Sequence, residues 1–378
     1  MKYNPGHFQP NVWQRITKII SSNRIGSAYL FSGPEGTGKE AAALAFSAAL
    51  NCQGNEIICG SCSSCVRFSS LQHEHLHVII PLPRKKANFD KDTDVLSIIG
   101  DDNAALLTDL LQKKGTDPFQ KINIPRAKRI LINSIRELRK KLYLKSVDSG
   151  YKMVLIFDAH CLSDGDGASA NALLKLLEEP PKKTTVILVT DYKSMLLSTI
   201  QSRCQQIDFP PISHDIVSTY LTDRGIHSGE AEFYANLADG NIHKARFLAD
   251  RTVAEILKTM KDQVEAVVNS NGDGWRSYIN NMSRMVRSDP NNFKFHLFLL
   301  QTWFQQSVRL RQNISSPLAQ NGFGEALKTF TTSYPQANLT TANSVIETTI
   351  ASIDRNFYMP LTLTNMLIDI QHYLKGKA

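Results

Sequence analysis

The fold is decided by residues 28–39, which read AYLFSGPEGTGK. The stretch AYLFSG is typical of a short buried strand, and the alanine-rich stretch after it predicts a helix that ends near Leu50. The glycine-rich turn between them matches the first seven positions of a phosphate-binding loop. Its glycines allow backbone N–H groups to converge on phosphate oxygens, and the helix N-terminus adds positive potential. The candidate nucleotide-binding residues in this loop are Gly33, Gly36, Thr37, Gly38 and Lys39.

The eighth position of the loop departs from this pattern. A Ser or Thr hydroxyl normally ligates Mg²⁺ there, whereas Glu40 removes that ligand and places negative charge beside the polyphosphate. Asp158 ends a second apolar stretch, KMVLIFD, at the point where nucleoside triphosphatases hold Mg²⁺. Active enzymes follow this aspartate with a glutamate that polarises water, but this chain has Ala159. We therefore expect a degenerate site with little ATP hydrolysis, and weak binding of ATP or ADP with Mg²⁺ stays open.

Four of the six cysteines, Cys52, Cys59, Cys62 and Cys65, lie close together in the sequence. Clustered cysteines in a cytosolic chain point to metal rather than to disulfides, and four thiolates suit tetrahedral zinc. An iron–sulfur cluster is the alternative, but the fourth cysteine lies upstream and the Cys-Pro of a ferredoxin run is absent. We predict a structural zinc site, because four thiolates leave no open position for a substrate.

Outside the loop, strand-like and helical stretches alternate up to about residue 210. The stretches HVIIPLP at 77–83, KMVLIFD at 152–158 and TTVILVT at 184–190 are typical of strands, and the last of these is taken as the final strand of the core. Residues 129–142 have the apolar spacing of an amphipathic helix. This alternation predicts an α/β fold with a parallel sheet.

After Phe209-Pro210-Pro211 no strand-like run remains, and helical periodicity dominates to the end. Residues 84–128 are polar, basic and weakly periodic, so we predict an insertion with one helix near residues 102–113. The length also favours more than one domain. The predicted domains are a core at 1–210 with the zinc module at 52–65, a small helical unit at 211–250 and a larger helical unit at 251–378.

The formal net charge of +8 is concentrated in one segment. Between Arg84 and Lys145, 15 basic residues face 8 acidic ones. Because Lys and Arg release counterions from phosphates, this excess favours nucleic acid as a partner, with a solvated helix face as the alternative. The N-terminus lacks the apolar core of a secretory signal, and no stretch approaches the roughly 18 apolar residues of a membrane span. We expect a cytoplasmic protein that has no membrane partner.

Arg203, in the tripeptide Ser202-Arg203-Cys204, has two interpretations. It either pairs with a carboxylate of its own domain or acts as an arginine finger on a nucleotide that a neighbouring subunit binds. In the second case its planar charge would stabilise the developing charge on the γ-phosphate. The tripeptide alone does not decide between them.

Together these motifs resemble the AAA+ clamp-loader family of bacterial DNA polymerase III, which includes the delta-prime and gamma/tau subunits. The matching segments follow the family's order along the chain, although residues 84–128 match no part of it. The most specific matches are Asn171–Pro181 and Ser202–Cys204. The other matching segments are 24–31, the loop at 33–39, the cysteine module, 135–138, 150–152, 158–159 and 360–367.

This resemblance implies an AAA+ ATPase-type core, a helical lid and a helical collar that joins subunits into a ring. It implies that Arg203 acts in trans on an adjacent motor subunit. The implied partners are the other clamp-loader subunits, the sliding clamp and primed DNA.

The departures from the family pattern distinguish among its members. Motor subunits of this family have a phosphate-binding loop that ends in Gly-Lys-Thr and an Asp-Glu pair, and both features are missing here. The lid of a motor subunit senses nucleotide with an arginine, whereas this chain has His243 at the corresponding position. The pattern therefore resembles the non-motor, delta-prime type, which completes the ring for loading the clamp during replication. The alternatives are an ATP-hydrolysing gamma/tau-like motor and a zinc-dependent DNA-binding module.

Overall fold

The computed structural model describes residues 5–84, 93–144, 150–165, 167–268, 272–314, 323–353 and 357–376. They form two compact units. The first contains the described residues up to Tyr220 together with Ala238–Lys244, and the second contains Leu221–Leu237 and the described residues from Ala245 onward. The three-domain division at residues 210 and 250 stays a prediction.

The first unit is built on a five-stranded parallel sheet with the order β2-β3-β4-β1-β5. Alternate side chains of the central strand β1 enter different clusters, since Tyr29 and Phe31 join one and Leu30 joins the other. Both faces of the sheet are therefore covered, and the predicted α/β core is confirmed. The strands are β1 (Ala28–Ser32), β2 (Leu76–Ile79), β3 (Lys152–Ile156), β4 (Thr184–Thr190) and β5 (Gln205–Asp208).

Strand β5 corrects one prediction. We expected Ser202–Cys204 to follow the last core strand, but β5 comes after this tripeptide and pairs with β1. Only Ile207 of its four residues is buried. An edge strand with one buried side chain lacks the apolar run by which the other strands are recognised. Strand β2 also ends before the predicted stretch does, because proline cannot donate to a sheet ladder.

Ten helices lie before, between or directly after the strands among the described residues of the first part of the chain. Helix α3 packs almost all of its side chains into the interior, because its alanines allow close approach. The helices are α1 (Pro5–Phe8), α2 (Pro10–Ser21), α3 (Lys39–Leu50), α4 (Ser63–Ser69), α5 (Val95–Ile99), α6 (Asp101–Thr116), α7 (Ile132–Tyr143), α8 (Ala168–Glu178), α9 (Ser198–Gln201) and α10 (His214–Thr222).

The segment predicted as an insertion contains α5 and α6, while residues 85–92 of it lie outside the described residues. Helix α6 matches the predicted helix. Four isoleucines of the segment are buried in the same cluster as Phe31 of the sheet. The segment is therefore packed into the core of the first unit. These side chains are Ile98, Ile99, Ile122 and Ile124.

The rest of the described chain is helical, as predicted. Its longest helix, α15, contacts α13, α14, α16 and α17 and buries Phe293, Leu297, Leu300 and Phe304 at the spacing of one helical face. Among the described helices, none is long and apolar enough to cross a bilayer. The helices are α11 (Ser228–Ala238), α12 (Ile242–Ala249), α13 (Val253–Val268), α14 (Gly272–Ser288), α15 (Pro290–Arg311), α16 (Gly324–Ser333), α17 (Leu339–Ser352) and α18 (Met359–Leu374).

Candidate functional site

The phosphate-binding loop lies between β1 and α3, as its motif predicts. Gly38 caps α3 with a φ of 82°, a backbone conformation that favours glycine. At Gly36 a Cβ atom would lie 1.9 Å from Oδ1 of Asn241, so this position has no room for any side chain. The Gly36 carbonyl accepts a hydrogen bond of 3.0 Å from the Ile242 N–H. The shape of the loop is thus set by contacts with its own unit.

Lys39 is buried inside the loop, with only 3% of the residue exposed. Its ammonium donates to the carbonyl of Gly33 at 2.8 Å and to that of Pro34. It also forms an ion pair of 2.8 Å with Asp191, which follows strand β4. The lysine of the motif is therefore fully engaged by neighbouring protein groups.

Glu40, the departure at the eighth position, has a specific partner. Its carboxylate lies 2.5 Å from the ammonium of Lys114, whose side chain is fully buried near the end of α6. The same ammonium donates to the carbonyls of Pro118 and Gln120. Burial alone would raise the pKa of Glu40, but the Lys114 and Lys121 ammonium groups outweigh this effect and lower it. Glu40 is therefore held as a carboxylate.

Lys121 lies among three further carboxylates. Its ammonium is 3.6 Å from Asp158, 3.5 Å from Asp191 and 3.8 Å from Glu35. Burial alone would lower the pKa of Lys121, but these carboxylates raise it above its ordinary value. Lys121 is therefore fully charged at neutral pH.

Asp158 follows β3 with a φ of 47° and precedes a short helical turn, Ala159–Leu162. Burial raises the pKa of its carboxyl despite the nearby Lys121 ammonium. Ala159 is completely buried, and Nδ1 of the next residue, His160, lies 3.1 Å from the Thr190 hydroxyl. At the position where active enzymes carry a water-polarising glutamate, this chain therefore has only the buried methyl group of Ala159.

The structure brings most of the predicted nucleotide site together and adds two residues that the sequence reasoning missed. Lys114 and Lys121 both come from the segment that matched no family pattern. The one signal in the sequence was Glu40 itself, because a carboxylate in an alanine-rich buried helix requires a cation. It did not indicate which cation. The residues around the resulting pocket include Gly36, Thr37, Gly38, Lys39, Glu40, Lys121, Asp158, Asp191 and His243.

The four cysteines of the module lie together between α3 and the first turn of α4. Their sulfur atoms are all within 4.8 Å of one another, and tetrahedral zinc with bonds of about 2.3 Å requires separations of about 3.8 Å. Backbone N–H groups of residues 54, 59, 62 and 65 point at the sulfurs of the first three cysteines. Donors of this kind lower the pKa of Cys59 to about 6. The residues therefore fit a zinc ion.

Arg203 lies just after α9, on the surface of the first unit. Its guanidinium donates to Glu178 at 2.7 Å and to the Thr199 carbonyl at 2.9 Å, and 37% of its side chain is exposed. Both partners are in the same unit. In this single chain Arg203 therefore makes the local pair that was one of its two interpretations, and its role toward a neighbour stays a prediction.

A family model described as DNA polymerase III, delta subunit, matches residues 8–213, more than half of the chain. The chain belongs to this family. The matched residues include the phosphate-binding loop, the cysteine module, Asp158 and Arg203. Membership in the delta-subunit family agrees with the resemblance inferred from the motifs.

Two relatives from Bacillus subtilis illustrate the range of similar proteins. The chain is 31% identical over 232 residues to DNA polymerase III subunit delta', covering 61% of this chain and 56% of the relative. It is 29% identical over 272 residues to DNA polymerase III subunit tau, covering 68% of this chain and 40% of the relative. The chain thus spans about half the length of the curated relatives it matches. These similarities do not separate the two types of subunit.

Among solved structures, a DNA polymerase III gamma subunit-related protein from Thermotoga maritima overlaps 96% of this chain and 100% of its own, with 15% identity and a TM-score of 0.40. The RuvB Holliday junction branch migration motor of the same organism overlaps 74% of this chain and 76% of its own, with 16% identity and a TM-score of 0.34. The predicted parallel-sheet α/β core, the cysteine module within it and the helical regions after it are all present in the described residues.

Proposed function

We propose that this chain is a non-motor subunit of a DNA polymerase III clamp loader. In this role it completes a ring of related subunits and contributes Arg203 to the nucleotide site of a neighbour. The ring would use ATP hydrolysis in its motor subunits to place the sliding clamp on primed DNA during replication, in the cytoplasm. Membership in the delta-subunit family supports this proposal.

The observation that carries the non-motor assignment is the state of the two hydrolytic positions. Glu40 replaces the hydroxyl that ligates Mg²⁺ and is bound by Lys114, while Ala159 replaces the water-polarising glutamate and is buried in the core. A phosphoryl-transfer site depends on positioning and on charge stabilisation, and these two positions supply neither. The remaining loop is better suited to a structural role than to turnover.

Arg203 is suited to act in trans because its planar, positively charged guanidinium is only partly covered. An exposed ion pair such as that with Glu178 is worth about 0–1 kcal/mol. A polyphosphate on an adjacent subunit could therefore replace the Glu178 carboxylate as the partner at little cost. The arginine would then stabilise the γ-phosphate as it leaves.

The test is reconstitution of the clamp loader with either the wild-type chain or Arg203→Ala. We expect the variant to assemble normally and to lower ATP turnover at the neighbouring nucleotide site by about 10³-fold or more, the usual effect of an arginine finger. Total ATP turnover should fall by the share of that site, and clamp loading should fall with it. Arg67→Ala is the matched control, because Arg67 also forms an exposed ion pair, with Glu74 at 2.6 Å. Unchanged turnover in the Arg203→Ala complex would exclude the proposed role.

A second candidate function is that of an ATP-hydrolysing motor subunit, because the tau relative is nearly as similar to this chain as the delta' relative. A steady-state ATPase assay of the isolated chain separates the two functions. Turnover that disappears in Lys39→Ala would identify a motor. The non-motor proposal expects no turnover that depends on Lys39.

A further inference from the structure

The two acidic residues at the Mg²⁺ positions of this site are each paired with an ammonium group. Glu40 occupies the position of the hydroxyl ligand and Asp158 the position of the aspartate that holds the metal. Lys114 lies 2.5 Å from Glu40, and Lys121 lies 3.6 Å from Asp158. Both lysines come from one short stretch of the chain, the end of α6 and the residues that follow it.

The Lys114 side chain cannot move out of the site without breaking several hydrogen bonds. Its ammonium has three oxygen partners, namely the Glu40 carboxylate and the carbonyls of Pro118 and Gln120. This number equals the number of N–H donors on an ammonium group. The side chain has no exposed surface. Lys114 is therefore a permanent part of the site.

The charges of the site are nearly balanced without any ligand. Three ammonium groups, those of Lys39, Lys114 and Lys121, face the carboxylates of Glu35, Glu40, Asp158 and Asp191. A site for polyphosphate needs an excess of positive charge, which this cluster lacks. His243 does not change the balance, because burial lowers its pKa below the ordinary value despite the nearby Glu40 and Glu35 carboxylates.

The space left between these groups is also small. The pocket lined by the loop, Lys121, Asp158 and Asp191 has a volume of about 30 Å³. A single water molecule needs about 10–15 Å³ of such space. As these side chains are placed, the space between them therefore accommodates only a few waters. Mg²⁺ in nucleotide sites is usually held by one or two carboxylates together with waters and phosphate oxygens, and here both carboxylates at its positions already pair with ammonium groups. The Mg²⁺–nucleotide group that the motif implies does not fit the residues present.

We propose that Lys114 and Lys121 replace Mg²⁺ in this site, so that the loop is held in shape by internal ion pairs and the site excludes divalent cations and their nucleotide complexes. This inference rests on the proposed non-motor function and gives it a cause in the structure. This gives a role to the segment around α6, which matches no sequence pattern of the family. It supplies the cations of a locked phosphate-binding loop.

The test compares Mn²⁺ binding to the full-length, zinc-loaded chain and to a Lys114→Met/Lys121→Met double variant by isothermal titration calorimetry. Mn²⁺ prefers carboxylate oxygens over thiolates, so the cysteine module does not compete for it. The double variant frees the carboxylates of Glu40 and Asp158, while Asp191 keeps its ion pair with Lys39. We expect it to bind Mn²⁺ at least about tenfold more tightly than the wild type, a difference of about 1.4 kcal/mol.

Lys113→Met is the control, because Lys113 is the exposed neighbour of Lys114 and pairs with Asp109. It should bind Mn²⁺ as weakly as the wild type. If the double variant does not fold, Lys121→Met alone keeps the test open, since Lys121 is partly exposed and its loss leaves Asp158 without its ammonium partner. A folded variant that gains no affinity would overturn the inference.

A second measurement uses only the wild-type chain. Mg²⁺ with ADP should leave its thermal unfolding midpoint unchanged, because a ligand that binds the folded chain would raise it. A clear rise would overturn the inference. Both readouts come from the isolated chain and the Arg203 test from the assembled complex, so failure of this inference can be told apart from failure of the proposed function.

Discussion

Glu40 and Lys114 form an ion pair in which the Lys114 side chain is fully buried and the Glu40 side chain is mostly buried, and the stability of the first unit should depend on it. Removing one partner of a buried pair leaves the other charge without compensation, which typically costs about 3–5 kcal/mol. We expect Lys114→Met to lower the free energy of unfolding of the zinc-loaded chain by about this amount. Urea denaturation followed by circular dichroism measures the change.

The adjacent lysine provides the control for this prediction. Lys113 forms an ion pair of 2.7 Å with Asp109, and both side chains are at least half exposed. Exposed pairs contribute about 0–1 kcal/mol, so Lys113→Met should have a small effect. Equal effects of the two substitutions would show that burial of the Glu40 pair does not matter.

The cysteine module is a short element whose fold should depend on its metal. A structural zinc site with four thiolates contributes directly to folding, and a single missing ligand weakens it strongly. We expect Cys62→Ser to lose bound zinc and to unfold the region around α4, with little direct effect on DNA binding. Zinc content by atomic absorption and hydrogen exchange of residues 52–69 measure these two effects.

Cys161→Ser is the comparison for this prediction, because Cys161 is a buried cysteine outside the module. The Cys161→Ser variant should retain its bound zinc. A Cys62→Ser variant that retains zinc and normal exchange would contradict the metal assignment. A variant that folds normally but loses DNA affinity would instead favour the zinc-dependent DNA-binding alternative.

Viewed over the whole chain, the basic excess in residues 84–145 is the feature that suggests binding to DNA. Lys140 and Lys141 are exposed at the end of α7. We predict that Lys140→Glu/Lys141→Glu weakens binding to primed DNA. The negative slope of log K against log salt should become smaller in magnitude by about 0.9 for each phosphate that is no longer neutralised. Fluorescence anisotropy at several salt concentrations measures both quantities.

Lys258→Glu/Lys261→Glu on α13 makes the same change in net charge at exposed positions elsewhere. This variant separates a local interaction with DNA from a general effect of charge. If it changes the salt slope as much as the α7 variant does, or if neither changes it, the basic segment has no specific part in DNA binding.

The sequence by itself determined where the phosphate-binding loop, the cysteine module and most strands lie. Each of these is encoded by residues close together in the chain, through motif spacing or through the period of apolar side chains. The parallel core and the helical second half followed from the same local patterns. Strand β5 did not, because three of its four side chains are exposed and it has no apolar run.

Only the tertiary structure decided that Lys114 and Lys121 reach the Mg²⁺ positions of the loop. Lys114 and Glu40 are 74 residues apart, and no periodicity links them. An ion pair depends on the distance between two charges in space, and that distance is set by how α6 packs against the core. The loop motif predicted a nucleotide site, and the fold brought to it the cations that fill it.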